Sequence, residues 1–404
     1  MARNPLRGQV AVVGVGSTPY LRDTRKTYLG LGLEAAVAAI KDAGIDKSEI
    51  DGICGSGRDV FSVGDATYLA VQGALGIEKT TWVLNSWLGS CFVYAAQAVA
   101  TGLCDTLLLV QAYRRGAEMS QSAAADPFRQ RAAELAGPGV WRNTDLAQRW
   151  YHNGEPYAAW MARYMHDYCV SKDVFGRIAV NNRSHAASNP NAAVRTPITL
   201  DDYHASREIW APMQMLDMDV PVDAGEALIL TTAERARDLP GKAVYVDAMS
   251  LGGTRIGEFY ENGLGWGQFS PWRAMAGLWD RTDLTVDDAD LFYPYDGYSI
   301  NAVAFTEAAG FCGLGEATDL FQSSWDKEQN ILRLNGRTLV ATSGGNLSQG
   351  RTGGSGYYAE AVRQLRGDCG DRQAAGARTA LVGAGSFYHD PAAVLLTAED
   401  LRQR

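Results

Sequence analysis

The sequence lacks an apolar run long enough to cross a membrane, and its 37 basic residues form no block. With 46 acidic residues the formal net charge is −9, which argues against a nucleic acid or an anionic membrane as the partner. No apolar signal-peptide segment precedes the first predicted strand, which starts at Val10. We therefore expect a soluble cytoplasmic protein whose 404 residues form two or three domain-sized units.

Cysteine and histidine are also few. The six cysteines are scattered without a Cys-x-x-Cys pair, a pattern typical of reduced, singly buried thiols. No two of the five histidines stand four residues apart, so a metal site would need ligands from distant segments. The sequence predicts neither a metal site nor a separate cofactor.

The chain does contain short apolar runs that alternate with segments of helical spacing, which predicts an α/β fold. The predicted strands include residues 10–15, 53–56, 82–85, 106–111, 227–231 (after a turn at 223–225) and 243–249, and the predicted helices include 28–43, 66–76, 90–102, 158–168, 171–188, 275–280 and 299–309. The strand-glycine-helix units at 82–102 and 338–365 have one pattern in common. We therefore expect two halves of similar construction, 1–240 and 241–404, packed through facing helices.

The periodicity weakens after Tyr113, and we expect a loop or lid insertion at about 113–170. Long excursions of this kind often contact ligands, and arginine is a natural partner of phosphate. The arginines here are Arg114, Arg115, Arg129, Arg131, Arg142 and Arg149. The alternative is an ordinary solvated face, so the segment is only a place to look for phosphate contacts.

The most informative stretch is LFYPYDGYSI, residues 291–300. An apolar run ends in Tyr295 and Asp296, and a glycine and a helical pattern follow. Open α/β sheets place their chemistry at such strand ends, so Tyr295 is predicted to be a catalytic acid or base. The alternative is a core tyrosine whose hydroxyl is only hydrogen-bonded. The glycine-rich segment 343–356 favours the catalytic interpretation, because it follows the next strand and can face the same cleft.

Several motifs resemble the thiolase superfamily, and in particular its lipid-transfer-protein-like, or sterol-carrier, branch. They are ASNPNAAVRTPITLDDY (187–203), MDVPVDAGEALILTT (218–232), SGGNLSQGRTGGSG (343–356) and VGAGSFYHDPAAVLLT (382–397). The resemblance covers nearly the whole chain. It implies a duplicated, five-layer αβαβα fold, binding of acyl-CoA thioesters and a homodimer.

Three positions depart from the thiolase pattern. Ser86 of NSWLGS stands where thiolases carry the cysteine that accepts the acyl group, and a serine offers no thiolate. Arg351 replaces, or lies next to, the family's glycine-loop histidine, and Leu381 lies at or near the place of the second cysteine. The protein is therefore either inactive or performs chemistry that needs no acyl-enzyme.

If the protein performs such chemistry, its residue pattern is similar to that of the steroid side-chain aldolases of the same superfamily. These enzymes cleave a β-hydroxyacyl-CoA by a retro-aldol reaction. That resemblance places Tyr295 at one functional tyrosine of these enzymes and Ser355 at the other, with Tyr357 and Tyr358 just beyond it. It also implies a small partner subunit with an OB fold and a zinc ribbon. The catalytic candidates are Tyr295, Ser86, Ser355, Tyr357, Asp296, Arg351 and His389, and the substrate-binding candidates are Gly344, Gly345, Asn346, Gly383, Gly385, Ser386 and Trp266.

The residues give these roles a chemical basis. A retro-aldol step removes the β-hydroxyl proton, breaks the Cα–Cβ bond and leaves a thioester enolate that needs hydrogen-bond donors. Tyr295 needs a cation such as Arg351 to lower its pKa, since an ordinary phenol is a weak base at neutral pH. Asp296 is expected to orient the loop. Backbone N–H groups at 383–386 or at Ser86 are the expected enolate donors.

Two alternatives remain open at the level of sequence. One is a carbon-carbon-bond-forming acyltransferase that uses Ser86, and the other is a non-catalytic acyl-CoA scaffold. The aromatic and glycine-rich loop 258–272, which contains Trp266, either binds a bulky acyl group or packs as a surface loop.

Overall fold

The structure is a computed structural model, and it describes residues 4–56, 66–86, 89–116, 154–253, 265–385 and 391–400. Four of the six arginines of the predicted lid, residues 258–264 of the aromatic loop, Ser386 and His389 lie outside the described residues.

The first half of the chain carries seven strands and seven helices within its described part. They are β1 (Val10–Ser17), α1 (Tyr28–Ala43), β2 (Gly52–Gly55), α2 (Tyr68–Leu75), β3 (Trp82–Asn85), α3 (Ser90–Ala100), β4 (Thr106–Arg114), α4 (Glu155–Tyr168), α5 (Asp173–Ser188), α6 (Leu200–Ala205), β5 (Glu208–Trp210), β6 (Met213–Gln214), β7 (Asp223–Thr232) and α7 (Ala233–Ala236).

The second half carries seven more strands and five more helices within the described residues. They are β8 (Val244–Leu251), α8 (Ser270–Trp279), β9 (Leu291–Pro294), α9 (Ser299–Ala309), α10 (Ala317–Ser323), β10 (Trp325–Asp326), β11 (Ile331–Leu334), β12 (Thr338–Val340), α11 (Gly345–Ser348), α12 (Ser355–Arg366), β13 (Thr379–Ala384) and β14 (Ala392–Thr397).

The sheet topology is duplicated. Twelve strands are hydrogen-bonded in the order β10-β11-β12-β9-β13-β14-β8-β1-β7-β4-β2-β3. The run β3-β2-β4-β7-β1 and the run β12-β9-β13-β14-β8 have the same order, third-second-fourth-fifth-first. They also have the same directions, with two parallel pairs followed by two antiparallel pairs. The two runs meet where β1 pairs with β8 over a short stretch.

The helices complete five layers. Helices α3 and α12 lie between the two halves, and each contacts strands of both. Helix α1 covers the outer face of the first half, while α8 packs on β8 and β14 at the outer face of the second. The predicted αβαβα duplication is confirmed. The division at residue 240 stays a prediction.

Glycines let α1 lie directly on the sheet. A Cβ atom at Gly16 would overlap the backbone of Ala35, and one at Gly225 would overlap the backbone of Leu31. Helix α1 begins where the Thr27 side chain accepts a hydrogen bond from the Gly30 N–H, and it ends at Gly44 in the left-handed conformation. These local signals explain why the helix has the predicted bounds.

Several predicted boundaries differ from the structure, three of them at β7, β4 and α8. Residues 223–225, predicted as a turn, form the start of β7, because they pair with residues 112–114 of β4. Strand β4 accordingly extends three residues past its predicted end, to Arg114. Helix α8 begins at Ser270, inside the predicted loop, and has Pro271 in its first turn.

Candidate active site

Tyr295 follows a strand in the middle of the second half. Strand β9 pairs in parallel with β12 on one side and β13 on the other, so that Gly383 lies opposite Pro294. The tyrosine is only 4% exposed. Its ring lies against the backbone of Gly297, where a Cβ atom would come within 2.6 Å of the Tyr295 hydroxyl oxygen. The glycine after the Tyr-Asp pair therefore makes room for the phenol.

Charged groups of both signs surround this phenol. Burial raises the pKa of Tyr295, Arg351 lowers it, Asp219 raises it, and Arg115 and Asp296 have weaker effects in opposite directions. The net direction is upward. The phenol is therefore protonated at neutral pH, and the two arginines reduce the upward shift that burial causes.

Arg351 is held in place beside Tyr295. Its side-chain Nη1 atom lies 2.8 Å from Oδ2 of Asp219. Its backbone N–H donates to the carbonyl of Val220 at 2.9 Å. Although burial disfavours the guanidinium charge, Asp219 and the nearby Tyr295 and Tyr298 raise the pKa of Arg351. The position that departs from the thiolase histidine thus carries a fixed positive charge.

Asp296 is a buried acceptor that anchors the glycine-rich segment. It accepts hydrogen bonds from Asn182 Nδ2 at 2.5 Å, from the N–H groups of Asn346 and Leu347 at 2.8 and 3.2 Å, and from the hydroxyl of Tyr357. Burial raises the pKa of Asp296 to about 6, against the hydrogen bonds that lower it. These contacts are what an orienting role requires.

The predicted binding residues of the glycine-rich segment are engaged in this scaffold. A Cβ atom at Gly345 would overlap Asp296, and Gly344 and Gly345 both have positive φ angles, of 100° and 59°. Asn346 donates to the hydroxyl of Tyr357 at 2.7 Å and accepts from the N–H of Thr352 at 3.3 Å. Asn346 and Tyr357 therefore shape the site through their contacts with each other and with Asp296.

The elbow that carries Ser86 reaches the same region from the first half. A Cβ atom at Gly89 would overlap Ala384 at the end of β13, and one at Gly354 would lie 2.9 Å from the Cβ atom of Ala384. The two glycines that precede α3 and α12 therefore meet at one residue. Phe92 and Tyr358 stack below them, with ring centroids 4.3 Å apart.

Ser86 itself lies beside no base in the part of the chain that the structure describes. Its N–H donates to the carbonyl of Gly55 at 3.0 Å, and its carbonyl accepts from Gln111 Nε2 at 3.0 Å. Within the described residues, the Ser86 hydroxyl has no hydrogen bond to a base. The N–H of Ser86 is used by the fold. The next two residues of the elbow lie outside the described residues, so an enolate donor at this elbow stays a prediction.

The other predicted residues divide into three groups. Ser355 begins α12, and its hydroxyl donates to the carbonyl of Thr352 at 2.8 Å. Gly383 lies within β13, opposite Pro294, and Gly385 follows the end of that strand. Trp266 donates to Glu307 at 2.6 Å near the end of α9 and packs against aromatic rings, which corresponds to the packed-loop alternative.

Sequence reasoning missed three residues of this cluster. Tyr113, Asp219 and Tyr298 each affect, or are affected by, the ionisation of Tyr295 or Arg351. Tyr113 lies at the end of β4, so the same strand-end rule that identified Tyr295 would have found it had the strand been extended. Asp219 and Tyr298 come together through a bridge between Met218 and Tyr298, which no local pattern indicates.

The fold and the site define a thiolase-type protein whose elbow serine has no partner base in the described structure. The family model for the thiolase C-terminal domain-like region matches residues 273–398. Over 378 residues the chain is 31% identical to the 17-hydroxy-3-oxo-4-pregnene-20-carboxyl-CoA lyase of Mycobacterium tuberculosis, with 90% of this chain and 92% of that protein covered.

Two further comparisons agree. A steroid side-chain-cleaving aldolase of Thermomonospora curvata is 30% identical over 90% of this chain and 91% of its own length. The solved Ltp2-ChsH2(DUF35) aldolase superposes with a TM-score of 0.81 at 28% identity, over 97% of this chain and 98% of that one. The chain belongs to the thiolase superfamily, in the branch that contains the steroid side-chain-cleaving aldolases.

Proposed function

We propose that this chain is the thiolase-type subunit of an aldolase that cleaves the Cα–Cβ bond of a β-hydroxyacyl-CoA with a steroid or another bulky side chain. The observation that carries the proposal is the buried Tyr295 phenol near the ion pair of Arg351 and Asp219, at the strand end where the sheet places its chemistry. No acyl-enzyme is required, and no separate cofactor takes part, since coenzyme A belongs to the substrate.

The names of the relatives suggest the substrate class. In a 17-hydroxy-pregnene-20-carboxyl-CoA, carbon 20 is α to the thioester and carbon 17 carries the hydroxyl, so the hydroxyl is β to the thioester carbonyl. Retro-aldol cleavage between these two carbons leaves a ketone and a short acyl-CoA. A tertiary alcohol of this kind cannot be oxidised to a ketone before cleavage, which is the step that a thiolase needs.

The phenol of Tyr295 supplies the proton transfer at the β-hydroxyl. Its phenolate form takes the hydroxyl proton, the Cα–Cβ bond breaks, and the bonding electrons move to the thioester as an enolate. Arg351 and Arg115 favour that phenolate because each carries a positive charge near it. The enolate oxygen then needs N–H donors, for which the backbone near Gly385 stays our candidate.

Activity of the purified full chain tests this proposal. We expect a β-hydroxyacyl-CoA with a tertiary alcohol to be cleaved to a ketone and an acyl-CoA without added metal or nucleotide cofactor. Binding without cleavage, in the presence of any subunit that copurifies, would instead support the acyl-CoA scaffold. An acyl group attached to Ser86 during turnover, seen by mass spectrometry, would support the acyltransferase.

We also propose two kinds of partner. The solved Ltp2-ChsH2(DUF35) aldolase pairs, by its name, a similar chain with a DUF35 protein, and a small subunit of that kind, with an OB fold and a zinc ribbon, is our candidate here. A second copy of this chain is the other. Strand β3 is the outermost strand of the first half, and its Val83 is 37% exposed, which fits an edge that a second chain covers.

The dimer has a direct test. We expect light scattering to give twice the mass of the chain at micromolar concentration, and Val83→Lys to reduce that mass by placing a charge at the edge. A monomeric parent protein would contradict the proposed dimer.

A further inference from the structure

A second phenol faces Tyr295 from the other half of the molecule. Tyr113 lies next to last in β4, opposite Ala224 of β7, and is 5% exposed. Its hydroxyl lies 3.4 Å from Oε1 of Gln111. The side chain of Gln111 also holds the carbonyl of Ser86, so Tyr113 is tied to the elbow that approaches the glycine-rich segment.

The groups around the Tyr113 hydroxyl come from both halves. Cys91 of α3 lies on one side, and Ser355, Tyr295 and Arg351 belong to the second half. Burial raises the pKa of Tyr113, and Cys91 and Tyr295 raise it further, whereas a hydrogen bond with Ser355 and the charge of Arg351 lower it. At neutral pH the group is a protonated phenol, the form that can donate a proton.

Three other hydroxyls lie close to this region, and two of them donate to partners of their own. Tyr357 donates to Asp296, and the Ser355 hydroxyl donates to the carbonyl of Thr352. Tyr298 is stacked on Tyr157, with ring centroids 4.1 Å apart. Of these four groups, Tyr113 alone comes from the first half of the chain, and the charge of Tyr295 acts on it, so it is the phenol that can approach the substrate from the other half.

The proposed cleavage needs two proton transfers at two different carbons. One removes the hydroxyl proton at Cβ, and the other delivers a proton to Cα of the enolate. One phenol cannot be deprotonated for the first step and simultaneously hold the proton for the second. Because Tyr295 and Tyr113 come from different halves of the chain and the charge of Tyr295 acts on Tyr113, we assign them to the two ends of the breaking bond.

We propose that Tyr113 is the second acid–base residue of the site and protonates Cα of the thioester enolate. This inference rests on the proposed aldolase function. As the Cα–H bond forms, the O–H bond of Tyr113 breaks and leaves its phenolate. The proton that Tyr295 gained from the substrate hydroxyl then returns, through solvent, to the Tyr113 phenolate. Both residues recover their starting forms, and the reaction neither gains nor loses protons.

Hydrogen exchange at Cα distinguishes the role of Tyr113 from that of Tyr295. Run backward, the second step removes a Cα proton from the acyl-CoA product, and in D₂O it exchanges that proton for deuterium without any ketone present. The experiment uses the full chain with any subunit that copurifies, with propionyl-CoA as the probe for exchange and a tertiary β-hydroxyacyl-CoA for cleavage. Mass spectrometry measures the deuterium content of the thioester.

We expect Tyr113→Phe to lower both the exchange rate and the cleavage rate by about 100-fold or more. Tyr295→Phe should lose cleavage but keep exchange within about fivefold of the parent rate, since its phenol acts on the hydroxyl end. Tyr164→Phe is the matched control. It also removes a buried hydroxyl, which donates to Glu307 at 2.6 Å, and it should leave both rates unchanged.

A second variant covers the case in which Tyr113→Phe fails to fold. Ser355→Ala removes the hydrogen bond that lowers the pKa of Tyr113. The rise of the exchange rate with pH should therefore move to higher pH, and exchange at neutral pH should fall. If Tyr113 has no part in proton transfer, the dependence of the exchange rate on pH will be the same in Ser355→Ala and in the parent.

The outcomes separate the two proposals. A parent protein that cleaves its substrate, with Tyr113→Phe (or an unshifted Ser355→Ala) exchanging at the parent rate, overturns the role of Tyr113 alone. A parent protein that neither cleaves nor exchanges overturns the aldolase function and the role of Tyr113 with it.

Discussion

The elbow after β3 and the strand end after β9 come from two halves with the same topology, yet their surroundings differ. At the elbow, the backbone of Ser86 bonds to Gly55 and Gln111, and the described residues provide its hydroxyl with no base. At the strand end, two arginines and two carboxylates surround Tyr295. A duplicated fold thus keeps both positions, while among the described residues the charged groups gather at the strand end, and we place the chemistry there.

Among the replacements that test this comparison, that of Tyr295 should have the largest effect on turnover. Tyr295→Phe keeps the ring that packs on Gly297 and removes only the hydroxyl, so we expect turnover to fall by about two to four powers of ten. The free energy of unfolding should change little, because the hydroxyl is not needed for the packing. Steady-state kinetics and denaturant unfolding measure the two quantities. Cleavage at near the parent rate would make Tyr295 a structural residue.

Removing the positive charge beside Tyr295 should have a smaller effect. Arg351→Gln raises the pKa of Tyr295 and leaves Asp219 without its cation, so we expect kcat/KM at neutral pH to fall by about 10- to 100-fold. The rise of kcat/KM with pH should move to higher pH. Arg351→Lys keeps the charge and should recover part of the loss. Equal losses in the Gln and Lys variants would show that shape, not charge, matters here.

Asp296 should affect stability in a pH-dependent way. Its pKa is raised from 3.8 to about 6, so its folded-state contribution is fully present below about pH 4 and is lost as pH rises through about 6. The parent should therefore lose up to about 3 kcal/mol relative to Asp296→Asn across that window. Denaturant unfolding of both proteins at pH 4, 5, 6 and 7 measures this difference. A difference that stays constant with pH would mean that Asp296 is ionised alike in the folded and unfolded chains.

Ser86 should show the smallest effect. Ser86→Ala removes one hydroxyl and leaves the backbone bonds of the elbow in place, so we expect most of the rate to remain, with a loss equivalent to about 1 kcal/mol at most. Ser90→Ala is the control, because it removes a hydroxyl from the first turn of α3, the helix that follows this elbow. A loss of about a thousandfold in Ser86→Ala alone would favour a nucleophilic serine and the acyltransferase.

Much of the fold follows from local signals that a single sequence contains. Helix α9 has its predicted bounds because the glycine at 310, in the left-handed conformation, ends it. The sequence predicts a turn at residues 223–225 because Asp-Ala-Gly is polar and flexible. In the structure Asp223 accepts from the N–H of Thr24 at 3.0 Å, and Gly225 makes room for α1. Such contacts join segments far apart in sequence, so they leave no local pattern.

Part of the site can likewise be predicted from local sequence signals, and part of it cannot. Tyr295 stands at a strand end, which an apolar run reveals, and Arg351 lies in a recognisable motif. Tyr113 reaches the site only because β4 continues three residues beyond its apolar stretch by pairing with β7. The orienting contacts of Asp296 with Asn182 depend on helix α5, which is more than a hundred residues away in the chain.

The pH dependence of cleavage tests the central claim most directly. If the Tyr295 phenolate takes the hydroxyl proton, log kcat/KM should rise by about one for each pH unit through neutrality and above, because the pKa of this phenol lies above its ordinary value. Tyr295→Phe should lack that rise. A parent profile that levels off near pH 6 would instead indicate a carboxylate such as Asp296 as the base, and it would contradict the assignment of Tyr295.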